Sequence, residues 1–423
     1  MKKTSQLHNK WTGKTVPELK TIKLKMDVTN LSDRPTSLVD DLRPLWKFTR
    51  YTAILPDWCQ PNVNDGNTVK KVLLNLWLFL VWFLIIIAAI YDWFLYYNGT
   101  KTNSTKKRDF SRVFFSSLLY MALLTQSHVT YYCSEYVSFF RNWKAVEQQT
   151  INCSSLQAPK KIVYITSSIT PILLVCLIVF NFLSDLAPCN FLKCYYYPMT
   201  ETLNLTVSII FLIVTRGLTI FFMLFHDALP ALVYSHISCA INRLQVKMEQ
   251  NFNAIICEES LSTDRSAKFV NEVRQCWRLF DTVSNLTDRA NHLFGFIFLI
   301  DQVLTLSFIC FLTYDNLMYR FYPYIPLVVN ICFITRLIYF NLILVNVQSA
   351  TVNLHQKISS LSIQHWSLMT GKESSITNAL SNRILQDPIG AAPMDLYTVE
   401  LSIFLPLLGL IISNIAVLMQ SHA

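Results

Sequence analysis

From Leu73 to Ile90 every side chain except that of Asn75 is apolar. At a rise of about 1.5 Å per residue, a helix of this length covers most of the roughly 30 Å hydrocarbon core of a bilayer. A rod that is greasy on all sides belongs in the centre of a very large core or in lipid. The rest of the chain favours lipid, because apolar runs of similar length recur along it. The runs predict seven spans, at about Val72–Phe94, Val113–Cys133, Lys161–Leu183, Asn204–His226, Leu293–Thr313, Tyr322–Val345 and Val399–Gln420. The second is the least apolar, with Ser, Thr, Gln and His inside it. Composition agrees: 52% of residues are hydrophobic and 15% charged, against about 25% charged in a soluble domain. The fold class expected is all-α, a seven-transmembrane helical membrane protein. No short apolar signal sequence precedes the first span, which is expected to serve as its own insertion signal.

Several function classes drop out. The net charge of +9 is not gathered into a basic patch interleaved with aromatics, so no nucleic-acid partner is expected. The 11 cysteines show no metal-ligand spacing, and no cofactor or metal is implied. Neither a His-x4-Asp element nor a nucleophile elbow is present, so the chain does not read as an enzyme. His226-Asp227 reads as a pair at the membrane boundary.

Orientation follows from Lys and Arg placement. Residues 1–71 and the second, fourth and sixth loops hold 27 of the 36 basic residues; the other loops hold 7, and Arg216 and Arg336 lie within spans. That places the N-terminus inside. The first loop opposes the trend with Lys101, Lys106, Lys107, Arg108 and Arg112, yet it also carries the glycosylation candidates Asn98 and Asn103. The organisation expected is a cytosolic segment 1–71, six spans over 72–345 with a long cytosolic loop 227–292, a cytosolic loop 346–398, and the last span with a short outside C-terminus over 399–423. Within the long loop, Val270, Val273, Trp277, Phe280, Val283, Leu286 and Leu293 fall at helical spacing. They predict a helix running straight into the fifth span, with helices four to six extended into the cytosol.

Two features inside the spans carry chemistry. In the seventh, Ser402, Pro406, Gly409, Ser413, Ala416 and Gln420 recur at spacings of four and three, which makes one helical face of small or polar groups. Such a face lines an aqueous pathway, or it packs tightly against another helix. The second feature is a set of charges. Counted from the inner ends of their spans, Arg216, Asp301 and Arg336 lie at similar depths, so Asp301 is expected to pair with Arg336 or Arg216. The pair is a structural clamp or part of a gating linkage.

Short motifs carry a family resemblance. They include Leu42-Arg43-Pro44-Leu45 followed by Phe48, Arg50 and Leu55-Pro56, and the segment Val273–Phe294 leading into Asn291-His-Leu-Phe-Gly. Ile389-Gly-Ala-Ala and Asp395-Leu-Tyr-Thr precede the last span, whose tail reads Ser413-Asn414, five apolar residues, then Gln420-Ser421. Together these resemble the insect gustatory receptor family, which ends on Thr-Tyr, five apolar residues and Gln-Phe. The spacing and the Gln are kept, while the Thr-Tyr pair and the Phe are not. The resemblance implies a chemosensory (taste) receptor in the plasma membrane, acting as a ligand-gated cation channel of four like or related subunits. The seventh helix would line the pore, and the inner ends of helices four to seven would form an anchor.

The resemblance also implies a pocket for a small organic tastant in the outer half, among helices two to six. Candidates are Phe114, Phe115, Tyr120, Phe180, Asn181, Thr206, Phe211, Thr305, Phe308, Phe311, Tyr322 and Tyr324. The less regular tail leans toward bitter or plant-derived compounds. Insect odorant receptors share this architecture. A rhodopsin-type G-protein-coupled receptor is the other alternative, but its acidic-Arg-Tyr and Asn-Pro-x-x-Tyr elements are absent from the sequence.

Overall fold

The computed structural model describes residues 37–45, 68–99, 120–150, 160–169, 172, 205–257, 263–319 and 324–420. Phe114, Phe115, Phe180, Asn181, Tyr322 and Asn103 lie outside the described residues. So does much of the second and third predicted spans.

Among the described residues the structure is helices and turns, with no strand. The elements are α1 (Leu38–Asp41), α2 (Thr68–Gly99), α3 (120–131), α4 (Cys133–Thr150), α5 (160–169), α6 (Leu205–Cys257), α7 (Thr263–Leu293), α8 (Gly295–Tyr319), α9 (Tyr324–Gln364), α10 (Gly371–Gln386) and α11 (Phe404–Gln420). α6 has 53 residues and α9 has 41. At about 1.5 Å per residue these rods reach roughly 80 and 60 Å, far beyond a bilayer, so each leaves the membrane and continues. They pack against each other more extensively than any other pair of described helices.

Burial separates the membrane part from the projection. Among the described side chains of α2 only Val81, Ile85, Ala88 and Ala89 are buried, while Phe79 is 70% exposed and Ile90 and Trp93 are each 63% exposed. That much bare apolar surface is stable only against lipid. Asn330–Gln364 of α9 is long and apolar enough to span alone; Arg265–Leu293 with Gly295–Cys310 qualifies as a bent pair, and Asn75–Ile90 and Leu401–Val417 are shorter apolar helices. The last helix begins at Phe404, later than the predicted Val399, after a 3-10 turn at Leu401–Ile403.

The projection has an ordinary core. α7 buries Val273, Phe280, Val283, Leu286 and Leu293, the face its periodicity predicts. α10 starts with a capping box: Glu373 N–H donates to Thr370 Oγ1 (3.4 Å), and Thr370 N–H donates to Glu373 Oε2 (2.6 Å). On α4, Phe139 stacks on Trp143 and meets Phe140 edge-on, and Phe139 and Phe140 both meet Phe294 edge-on.

The expected straight run from α7 into the fifth span is corrected. The two helices meet at 48°, with Phe294 in the joint. The cause is local. Tyr136 Oη–H (2.7 Å) and His128 Nε2 (3.1 Å) both donate to the Leu293 carbonyl, and side chains inserted at a helix carbonyl bend the rod.

Candidate functional site

Four assemblies of side chains could serve function. The first is a charge cluster. Asp227 on α6, Asp301 on α8 and Arg336 on α9 are all buried. Arg336 Nε donates to Asp227 Oδ2 (2.8 Å) and Nη1 donates to Thr305 Oγ1 (2.8 Å), while Nη2 donates to both Asp227 Oδ1 and Asp301 Oδ1. The guanidinium lies 5.8 Å from the Phe333 ring centre and 5.9 Å from that of Phe340. The fork-to-fork pairing with Asp227 satisfies two donors in one plane, a geometry Lys cannot copy.

Sequence reasoning missed Asp227, whose place beside His226 suggested a membrane-boundary pair. The structure corrects this: Asp227 reaches the same guanidinium as Asp301, so α6 runs on past His226 inside the packed bundle. Arg216 stands eleven residues, about 16 Å, along α6 from Asp227. Its side chain is outside the described residues. A search for apolar turns continuing beyond His226, such as Ala228-Leu-Pro-Ala-Leu-Val, could have signalled the deeper Asp.

The second assembly is the face of α11. Phe404, Leu407, Ile411 and Ile415 are half-buried, while Ser402, Pro406, Gly409, Ser413, Ala416 and Gln420 are all exposed. α11 packs on α8. A Cβ built on Gly409 would meet nothing within 4 Å. The small and polar face thus has no described partner within one chain.

The third is a polar node where α1, α4, α5 and α6 meet. His236 on α6 is 4% exposed; its Nε2 is 3.1 Å from Asp41 Oδ2 and its Nδ1 is 3.5 Å from Glu147 Oε1. Lys160 donates to Asp41 Oδ1 (2.7 Å). Ser37 Oγ, the Leu38 N–H and Trp143 Nε1 all donate to Glu147 (2.6, 2.6 and 2.9 Å). Burial disfavours the charged imidazole, but the Asp41 and Glu147 hydrogen bonds outweigh it and raise the pKa of His236. Both carboxyls are held below their ordinary values: burial opposes ionisation, and the His236 hydrogen bond leads the groups that overcome it. The Leu42-Arg-Pro-Leu motif sits here, its two leucines buried and Arg43 paired with Asp40 at the surface (2.8 Å).

The fourth is the segment 389–400 leading into α11, held by Asn291. Asn291 Nδ2 donates to the Gly390 carbonyl (3.2 Å), and its Oδ1 accepts from the Ala392 N–H and Tyr234 Oη–H (both 3.0 Å).

Of the ligand-pocket candidates, Tyr120 Oη–H donates to the Ala89 carbonyl (3.2 Å), Thr305 accepts from Arg336, and Phe308 stacks on Phe333 at 4.8 Å. The structure thus brings Thr305 and Phe308 to the charge cluster. Thr206, Phe211, Phe311, Tyr324 and Asn98 lie on described helices, but their side chains are outside the described residues.

The bundle defines a class: a multi-pass helical membrane protein whose rods continue into a packed projection, with a charged lock buried where three of them meet. Residues 42–423 match the family described as 7tm Chemosensory receptor. The chain belongs to that family. Two solved structures are similar: the insect olfactory receptor OR5 from Machilis hrabei in complex with eugenol (TM-score 0.59, 15% identity, 90% of this chain and 99% of that chain), and the same receptor described without a ligand (TM-score 0.53, 15% identity, 90% and 100%). They share the fold, that of seven-transmembrane insect olfactory receptors. No curated protein matches the chain.

Proposed function

We propose that this chemosensory receptor is one subunit of a tetrameric ligand-gated cation channel in the plasma membrane, opened by a small organic compound. The observation that carries the reading is α11. A membrane helix turns polar groups toward protein or water, and the small and polar face of α11 is left exposed by the described residues of its own chain. Four copies around an axis would give that face a shared aqueous passage. The lead-in motifs and tail favour the gustatory branch over the odorant branch, and a bitter or plant-derived ligand. In this reading the N-terminus and the projection are cytosolic, and Asn98 and Asn103 are glycosylated outside.

The ligand pocket lies in the outer half, with Thr305 and Phe308 near its floor and aromatic groups such as Phe114, Phe115, Phe211 and Tyr324 around it. Eugenol, bound by the similar olfactory receptor, is a sensible first probe.

The test is expression in oocytes with a panel of plant-derived aromatics and alkaloids, beginning with eugenol. A cation current evoked by a compound, and blocked by aqueous thiol reagent once Ser413 is replaced by Cys, is expected. Protection of Ser402, Gly409, Ser413 and Gln420 cysteine variants alike, during an evoked current, would overturn the pore assignment.

A further inference from the structure

Two stretches that carry the family resemblance, Asn291–Gly295 and Ile389–Thr398, are about a hundred residues apart in sequence and meet in space. Asn291 is 2% exposed. Its amide bonds the carbonyl of Gly390 and the N–H of Ala392, which lie one residue either side of Ala391, as a neighbouring strand would. Four residues on, Gly295 opens α8 directly beneath the same segment. A Cβ there would stand 2.6 Å from Met394 N and 2.8 Å from Pro393 Cα, so only glycine admits this approach.

The segment is held from other sides too. Thr351 of α9 donates to the Ile389 carbonyl (2.9 Å), Gln348 of α9 to Glu400 (3.1 Å), and Val399 N–H closes the loop on Ala391 (2.8 Å). Within it, Met394 and Asp395 adopt φ of 55° and 56°. Side chains at left-handed φ are strained, and such a backbone persists only where its surroundings fix it.

We propose that Asn291 is a positioning residue for the channel. It tethers the segment leading into α11 to the 48° joint between α7 and α8, so that movement of the joint is passed to the last helix. The inference rests on the reading of α11 as pore-lining. Along α8, Asp301 stands about two turns and Thr305 about three turns beyond the joint. A shift at the joint therefore reaches the charge cluster through α8, and reaches α11 both through its packing on α8 and through the Asn291 tether on the segment before it.

The test uses the full chain, in oocytes and purified into lipid nanodiscs. Asn291→Ala cuts both bonds to the segment, and Gly295→Ala wedges it away from the joint. Each is expected to speed amide exchange over residues 389–400 by about fivefold, the equivalent of one lost hydrogen bond. Exchange over Gly371–Gln386 and the amount at the cell surface should stay as in the wild type. The resting Na⁺ current, read as the part lost when Na⁺ is replaced by N-methyl-D-glucamine, should change at least about threefold. Asn291→Asp keeps the acceptor for Ala392 and is expected to fall between Asn291→Ala and the wild type.

Unchanged exchange over 389–400 overturns the tether. Faster exchange with a wild-type resting current leaves a structural tether and overturns the coupling. Failure of the pore reading itself looks different: a cysteine at Ser413 inert to aqueous thiol reagent, whatever the exchange data show. That result removes the coupling along with the pore.

Discussion

Arg336 on α9 grips Asp227 on α6 through two donors, Nε and Nη2, across 109 residues of sequence. The same Nη2 reaches Asp301 on α8. Three long helices thus converge on one guanidinium, two donors of which face one carboxylate. Removing one partner of such a buried cluster strands the others without solvent.

Arg336→Ala is therefore expected to destabilise the chain by about 3–5 kcal/mol, since it leaves two buried carboxylates unpaired. Arg336→Lys is expected to recover only a minor part, because an ammonium cannot make the planar two-donor contact. Thermal unfolding of the detergent-solubilised receptor, followed by size-exclusion chromatography, measures both. A Lys variant as stable as the wild type would show that charge alone, and not the fork, matters.

The His236 node gives a pH dependence with a definite sign. The folded pKa of His236 is raised, so its contribution is fully present below the unfolded value of about 6.5 and is lost as pH rises through the folded value. Asp41 and Glu147 are lowered, so their contributions are present above their unfolded values of about 4 and are lost as pH falls through the folded ones. Lys160 also pairs with Asp41 (2.7 Å), and the buried Arg243 stands one turn from Cys239 on the same helix as His236. The node is expected to be strongest in mildly acidic to neutral solution. His236→Gln should lower the unfolding temperature most near pH 6 and progressively less toward pH 9. A deficit that grows with rising pH would mean that the imidazole is neutral in the fold.

The residues differ in how legible they were. Helical periodicity exposed the buried face of α7 and the polar face of α11, because both repeat over several turns. Asp301 and Arg336 announced themselves as charges in apolar runs. Asp227 did not, because His226 and Asp227 together break the apolar run, which resumes at Ala228. The joint at Phe294 was hidden for another reason. The bend depends on His128 of α3 and Tyr136 of α4, more than 150 residues earlier, and no local pattern encodes that. The Asn291 tether was visible only as two motifs; their contact is tertiary.

The stacked pair Phe308 and Phe333, both buried, ties α8 to α9 one turn from the charge cluster. Phe333→Ala is expected to cost about 3–5 kcal/mol, the usual range for emptying a packed aromatic site. Phe333→Leu should cost about 1–2 kcal/mol, because most of the volume is kept. If ligands also rest against this stack, Phe333→Leu should move the half-maximal concentration of the activating compound more than it moves stability. Equal shifts in the two leave Phe333 as packing alone.

Gly409 separates the channel reading from simple helix packing. Nothing within 4 Å would oppose a side chain there in a single subunit, and leucine stabilises a helix interior relative to glycine by up to about 1 kcal/mol. Gly409→Leu should therefore fold, reach the surface and unfold no earlier than the wild type. If four such faces surround a passage, four added isobutyl groups narrow it, and the evoked current should fall at least about tenfold with little change in half-maximal concentration. If α11 instead uses this face to pack against a neighbouring subunit, the same change should dissociate the assembly, seen as a smaller particle on size exclusion. Full current through an intact assembly would place the face toward lipid and end the channel role assigned to it.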